Sequence, residues 1–245
     1  MTFLVFDFET TGIPRIPKSI EETSGQAKKK LSFRDLDVYD TARVVSVAWR
    51  QADSDKYYII KPIGFVIPDE ATAIHGISTD QAMKEGADLI TVLDELLNDM
   101  QHVDTIVAHN IYFDINVLRS ELYRANKFKY QRAIDMTFKK KIFCTMQESR
   151  KMNVVNKMTK LTVLYKMLFP GDEETCENAH NAYYDVIYTT KIYLHLMTLV
   201  ATSTAVAAAP HEDVVLIDQS IVKNENDHVQ EPPFKKLRVT RSMTI

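Results

Sequence analysis

The first dozen residues set an apolar, β-favouring run, Phe3, Leu4, Val5, Phe6 and Phe8, against two acidic positions, Asp7 and Glu9, and close on Gly12. The pattern predicts a buried strand. Side chains alternate along a strand, so Asp7 and Glu9 share one face. Two like charges there repel each other and lose hydration, which a central strand tolerates only with a cation between them. An edge strand would leave both solvated, and the stretch alone leaves the two readings open.

Downstream, Arg43 to Arg50 and Tyr57 to Ile60 are β-rich runs separated by Asp53, Ser54 and Asp55, which predicts an antiparallel hairpin. Ile74-His75-Gly76-Ile77-Ser78 precedes a short polar helix. Leu89, Val92, Leu93, Leu96, Leu97 and Met100 then follow the three-and-four spacing of an amphipathic helix. Thr105 to Ala108 reads as a strand, and Phe113, Val117, Leu118 and Leu122 as the next helix. Ile142 to Thr145 is the last strand. Leu161, Leu164, Tyr165 and Leu168 mark a helix stopped by Pro170-Gly171, and a final helix runs from Ala182 to about Val200. Strands first and then alternating helix and strand predict an α/β fold, a mixed sheet flanked by helices.

Two segments break the pattern. Ile13 to Ala42 is long, polar and mixed in charge, with Lys28, Lys29 and Lys30 inside it, and is expected to be a surface excursion. Residues 201–245 lack a sustained period and are expected to form a disordered tail after a domain of residues 1–200. Lys235, Lys236 and Arg238 in that tail fit either a nuclear-import or partner signal or a solvated cluster.

Composition narrows the class. The 245 residues are 45% hydrophobic and 26% charged, ordinary for a soluble globular chain. No apolar run is long enough for a bilayer, and the N-terminus lacks signal-peptide features. With Cys144 and Cys176 as the two cysteines, neither a disulfide framework nor a zinc site is indicated, and an intracellular location, cytoplasmic or nuclear, is expected. The net charge is −3, yet Arg119 to Lys160 holds twelve Lys or Arg against three acidic residues. That local +9 leaves −12 for the remainder of the chain. Such a division suits either a metal-bridged polyanion or a solvated helical face.

In α/β sheets, sites form at strand ends and in the loops that leave them. Asp7 and Glu9 lie on strand one, Asp114 in the first turn after Thr105 to Ala108, and Asp185 near the start of the last helix. His180 precedes Asp185 by five positions. On a regular helix that separation is about 140°, so the two can share a site only if His180 sits at or before the helix end.

Three segments now carry a resemblance: Asp7-Phe8-Glu9-Thr10-Thr11-Gly12, His109-Asn110-Ile111-Tyr112-Phe113-Asp114 and His180-Asn181-Ala182-Tyr183-Tyr184-Asp185. Together, in this order, they resemble the motifs of DEDDh (DnaQ-like) 3′→5′ exonucleases, over about residues 1–200. The resemblance implies a ribonuclease-H-like fold with a five-stranded mixed sheet whose first three strands are antiparallel. It also implies two Mg²⁺ or Mn²⁺ ions and removal of nucleotides from single-stranded 3′ ends, DNA foremost. By that resemblance Asp7 bridges the ions, Glu9 and Asp185 hold the one nearer the nucleophilic water, Asp114 supports the other, and His180 takes the water's proton. Thr10, Ile13, Ile74, His75 and Asn110 match positions that touch the terminal nucleotide. The implied partners are nucleic-acid 3′ ends and a DNA polymerase or a replication or repair protein. The competing readings are an exoribonuclease of the same mechanism and, from another class, a silent adaptor that keeps the fold to bind nucleic acid or a polymerase.

Overall fold

The computed structural model describes residues 2–16, 32–172 and 180–208. Lys28 to Lys30, most of the segment between Gly171 and Asn178, Cys176, and the tail cluster of Lys235, Lys236 and Arg238 lie outside the described residues. The elements are β1 (Phe3–Thr10), α1 (Leu36–Tyr39), β2 (Val44–Gln51), β3 (Ser54–Ile59), α2 (Asp69–His75), α3 (Thr79–Glu85), α4 (Leu89–Gln101), β4 (Thr105–Ala108), α5 (Ile111–Lys139), β5 (Lys141–Cys144), α6 (Thr145–Lys151), α7 (Leu161–Leu168) and α8 (Ala182–Ala208).

The strands form one sheet in the order β3-β2-β1-β4-β5. β1 pairs antiparallel with β2 and parallel with β4, β2 antiparallel with β3, and β4 parallel with β5. β1 is therefore the middle strand, which decides against an edge for Asp7 and Glu9. This is the mixed α/β architecture of the ribonuclease-H-like fold, with its first three strands antiparallel.

Alternation along β1 divides the core. Leu4, Phe6 and Phe8 join Val47, Trp49, Ile106 and Ala108 under the apolar stripes of α4 and α5. Val5 joins Ala48, Val107 and Phe143 under α7 and α8, where Leu164, Tyr165, Val186 and Ile192 are buried. Asp7 and Glu9 lie on this second face. They sit opposite the small residues Ala48 and Ser46 on β2, which leave room beside them.

Several expectations need correction. The end of the Ile13–Ala42 excursion is core, not surface: Phe33, Val38, Tyr39 and Ala42 are buried. Phe33 packs its ring near Tyr123 and Phe138 of α5. These apolar residues are sparse and aperiodic, so only the tertiary groove reveals their role. The β2–β3 turn is Ala52-Asp53, with Ala52 at φ 51°, and Ser54 to Lys56 belong to β3. The Arg50–Asp55 ion pair across the hairpin holds that register. α2 forms where the apolar pattern predicts no helix. α5 runs far beyond Leu122, with a break at Asn126 (φ −171°, ψ 96°). The Asn126 side chain accepts from the N–H groups of Phe128 and Lys129 and starts the helix again. α8 continues past Val200 through the Ala-rich stretch to Ala208, in keeping with the helix propensity of alanine.

Part of the basic zone is spent on the fold. Arg119 is buried over the Phe138 ring, and Arg124 pairs with Asp40 and Glu121. Lys129 pairs with Asp94 and Lys151 with Glu148, while Lys140 donates to the Gln101 and Val103 carbonyls.

Candidate metal and nucleotide site

Three separate chain segments deliver carboxylates to one end of the sheet. Oxygens of Asp7, Glu9 and Asp185 all lie within 4.8 Å of one another. Asp7 and Glu9 arrive two residues apart on β1. Asp185 arrives from the first turn of α8, whose Asp185 N–H bonds the Asn181 carbonyl at 3.0 Å. Asp114 comes from the first turn of α5, on the other side of the sheet. Its Oδ1 accepts the Phe8 N–H at 3.2 Å. β4 pairs with β1 only as far as Val5, so this N–H has no strand partner and the carboxylate replaces one.

Asp114 and Asp185 are 2% and 9% exposed, too enclosed to keep like charges without compensation. Burial raises the Asp7 pKa well above the carboxylate range, and the charges of Asp114, Asp185 and Glu9 raise it further. Burial and then Asp185 lift Glu9 to about 8. Burial lifts Asp185 to about 7, opposed by the backbone N–H of His180. Asp114 is likewise raised by burial, against the Phe8 N–H bond. One oxygen of Asp185, Oδ1, is buried without a hydrogen-bond partner. An orphaned oxygen, a set of hard oxygen donors and mutual repulsion together fit divalent cations. Asp7, Glu9 and Asp185 would hold them, with Asp114 beside Asp7.

A cleft of about 770 Å³ opens beside Glu9. Of the residues expected to touch a nucleotide, Thr10, Ile13, Ile74 and His75 line it. Asn110 does not: it is exposed, in a left-handed conformation (φ 65°, ψ 43°) that turns the chain from β4 into α5. Phe8, Phe65, Val66 and Phe113 complete an apolar wall that the sequence pattern does not single out. None of the residues from Arg119 to Lys160 lines it.

His75 is 7% exposed. Its Nδ1 accepts the Ile77 N–H at 3.1 Å, so Nε2 carries the proton, and that donor has no partner. Burial and the neighbouring His180 keep the His75 pKa low. His180 itself is exposed, at φ 65°, just before α8, the non-helical position its spacing from Asp185 requires. His109, the other motif histidine, is structural. Its Nδ1 meets Thr145 Oγ1 and its Nε2 the Thr159 carbonyl, both at 2.9 Å, and burial lowers its pKa to about 4.

Residues 37–193 match the RNase T exonuclease family model, which spans Asp114, His180 and Asp185. The chain belongs to this exonuclease family. β1, with Asp7 and Glu9, precedes the matched stretch and joins the site through the sheet. No curated protein sequence is significantly similar to the chain. Among solved structures, E. coli Exonuclease I in complex with a dA16 oligonucleotide is similar at TM-score 0.55 and 18% identity, over 83% of this chain and 42% of that one. The zinc-ion-bound form of the E. coli ExoI–ssDNA complex gives TM-score 0.55 and 17% identity, over 84% and 42%. A moderately thermophilic Exonuclease I from Methylocaldum szegediense gives TM-score 0.53 and 16% identity, over 82% and 41%. The chain thus spans less than half the length of these proteins, with which it shares the fold. The family is divalent-metal dependent.

Proposed function

We propose that the protein is a 3′→5′ exonuclease that uses two Mg²⁺ or Mn²⁺ ions to remove nucleotides from single-stranded DNA. The observation that carries this reading is the meeting of Asp7, Glu9 and Asp185 within 4.8 Å, at the edge of a cleft sized for a nucleotide. Four carboxylates drawn from three segments are costly to enclose for structure alone. A silent adaptor would have no use for them. The DNA complexes of the similar E. coli enzyme favour DNA over RNA as the substrate class.

Divalent cations at this cluster would lower the pKa of the attacking water and offset charge on the leaving oxygen. The chain's own residues do the rest. The apolar wall of Ile13, Phe65, Val66 and Ile74 takes the terminal base, and Thr10 and the free Nε2–H of His75 face the sugar. His180 accepts the proton of the attacking water, from a position outside the helix that lets the imidazole reach and withdraw. Phe8, through its N–H, keeps Asp114 oriented toward the cluster. Attack on the last phosphodiester breaks the bond to the 3′ oxygen of the preceding nucleotide and releases a 5′-monophosphate.

The test is digestion of 5′-labelled single-stranded DNA and RNA with Mg²⁺, Mn²⁺ or EDTA. The reading expects a ladder shortening from the 3′ end on DNA, absent in EDTA. Equal or faster digestion of RNA would replace the substrate, and undiminished activity in EDTA would overturn the mechanism.

A further inference from the structure

Arg43 joins three parts of the site. Its backbone closes the end of β1: the Thr11 N–H bonds the Arg43 carbonyl and the Arg43 N–H bonds Thr11 Oγ1, each at 2.9 Å. Its guanidinium is bidentate on Glu121, at 2.7 and 3.3 Å. The same guanidinium covers one face of the Phe65 ring, 4.5 Å from its centroid. Phe65 and Thr11 both line the cleft. Gly64, at φ 80°, makes the turn that brings Phe65 there.

Glu121 is 2% exposed, and its Oε1 also accepts the Val44 N–H at 3.4 Å. It lies seven residues after Asp114 on α5, two turns on and so on the same stripe of the helix. Asp114 ties that stripe to β1 and Glu121 ties it to the start of β2. A bidentate, part-buried ion pair on a carboxylate that is itself buried holds the guanidinium plane in place, which a flexible lysine would not reproduce.

From this geometry we propose that Arg43, locked by Glu121, is a positioning residue that sets the Phe65 wall of the nucleotide cleft. The proposal rests on the nucleotide-binding reading of that cleft. A purine or pyrimidine entering beside Thr10 and Ile74 meets a ring already backed by a cation, and stacks on it without first ordering the loop. Arg43 touches no reacting atom. Its effect reaches the substrate through Phe65.

The test compares Arg43→Lys, Phe65→Leu and the double variant on a single-stranded oligothymidylate, and measures thymidine 5′-monophosphate binding by calorimetry with Mn²⁺ present. Arg43→Lys keeps the charge beside Glu121 but loses the planar cover, and should raise KM about fivefold. Phe65→Leu should raise it roughly tenfold, the scale of one base–aromatic stack. In both, kcat stays within about twofold, and the nucleotide Kd follows KM. The double variant should be no worse than Phe65→Leu, because Arg43 acts through the ring. Glu121→Gln, which retains an acceptor for Val44, should reproduce the Arg43→Lys shift.

Multiplying effects, roughly fiftyfold in the double variant, would show that Arg43 acts independently of Phe65 and overturn the proposal. So would wild-type KM and Kd in both single variants, or a fall in melting temperature and kcat with KM unmoved. Wild-type KM in Glu121→Gln would remove Glu121 from the device. If wild type binds the nucleotide in this pattern but cleaves no oligonucleotide, the exonuclease reading fails while this inference stands.

Discussion

The Asp114 carboxylate accepts the N–H of Phe8, the residue between Asp7 and Glu9. One hydrogen bond thus ties the helix that begins within the second motif to the strand that carries the first. The bond separates two roles for Asp114. Asp114→Asn keeps an acceptor for Phe8 and should fold with nearly wild-type melting temperature while kcat falls at least about 10²-fold, through loss of an anionic ligand. Asp114→Ala should lose the activity and also destabilise by about 1–3 kcal/mol, because a buried N–H is left without a partner. Thermal unfolding and single-turnover rates distinguish the pair. Equal stability of both variants would make the Phe8 bond incidental.

The raised carboxylates make cation-free stability depend on pH with a definite sign. Glu9, at about 8, and Asp185, at about 7, bind protons in the folded state that the unfolded chain has released above about 4. Their contribution to stability is complete below that lower value and is lost as pH rises through about 7 to 8. In EDTA, melting temperature should therefore fall between pH 5 and pH 8.5. Added Mn²⁺ should raise it, and more at pH 8 than at pH 5, where protons compete. Asp185→Asn should raise cation-free stability at pH 8 by about 1–3 kcal/mol and flatten the pH dependence. A flat profile in wild type would mean the carboxylates do not repel.

His180 separates chemistry from cation binding. His180→Ala should lower kcat by roughly 10² to 10⁴ and leave Mn²⁺ affinity within about twofold, since in the proposed mechanism it touches water and no cation. A near-normal kcat would demote it to a residue ahead of α8. A large loss of Mn²⁺ affinity would make it a ligand.

Much of this site is legible in the amino-acid sequence. Asp7 and Glu9 share a face because strand alternation requires it, and the five-residue step from His180 to Asp185 forces the histidine out of the helix, where it stands at φ 65°. The strands and the helix from Leu89 follow from local periodicity, which is what buries them. Periodicity does not encode the rest. Phe33 and Tyr39 are buried by a groove made a hundred residues later, and Phe65 enters the cleft through a glycine turn rather than a regular element. Charge counting also cannot tell which cations of the basic zone serve the fold, as Arg119, stacked on Phe138, and Lys140, which caps backbone carbonyls, do. The motif pattern gives Asn110 as a nucleotide contact but not its left-handed backbone, which makes the turn into α5.

Central to the proposed function is that three chain segments build a single divalent-cation centre. Calorimetric titration of Mn²⁺ into the cation-free protein at pH 7, in two buffers of different ionisation enthalpy, tests this most directly. Wild type should bind two ions per chain and release protons, because Glu9 and Asp185 hold theirs near neutrality until a cation displaces them. Asp7→Ala, if it removes the bridging ligand, should lose at least one of the two ions and most of the proton release. Wild type that binds no Mn²⁺, or an Asp7→Ala variant that binds two ions with the same proton release, would contradict the claim.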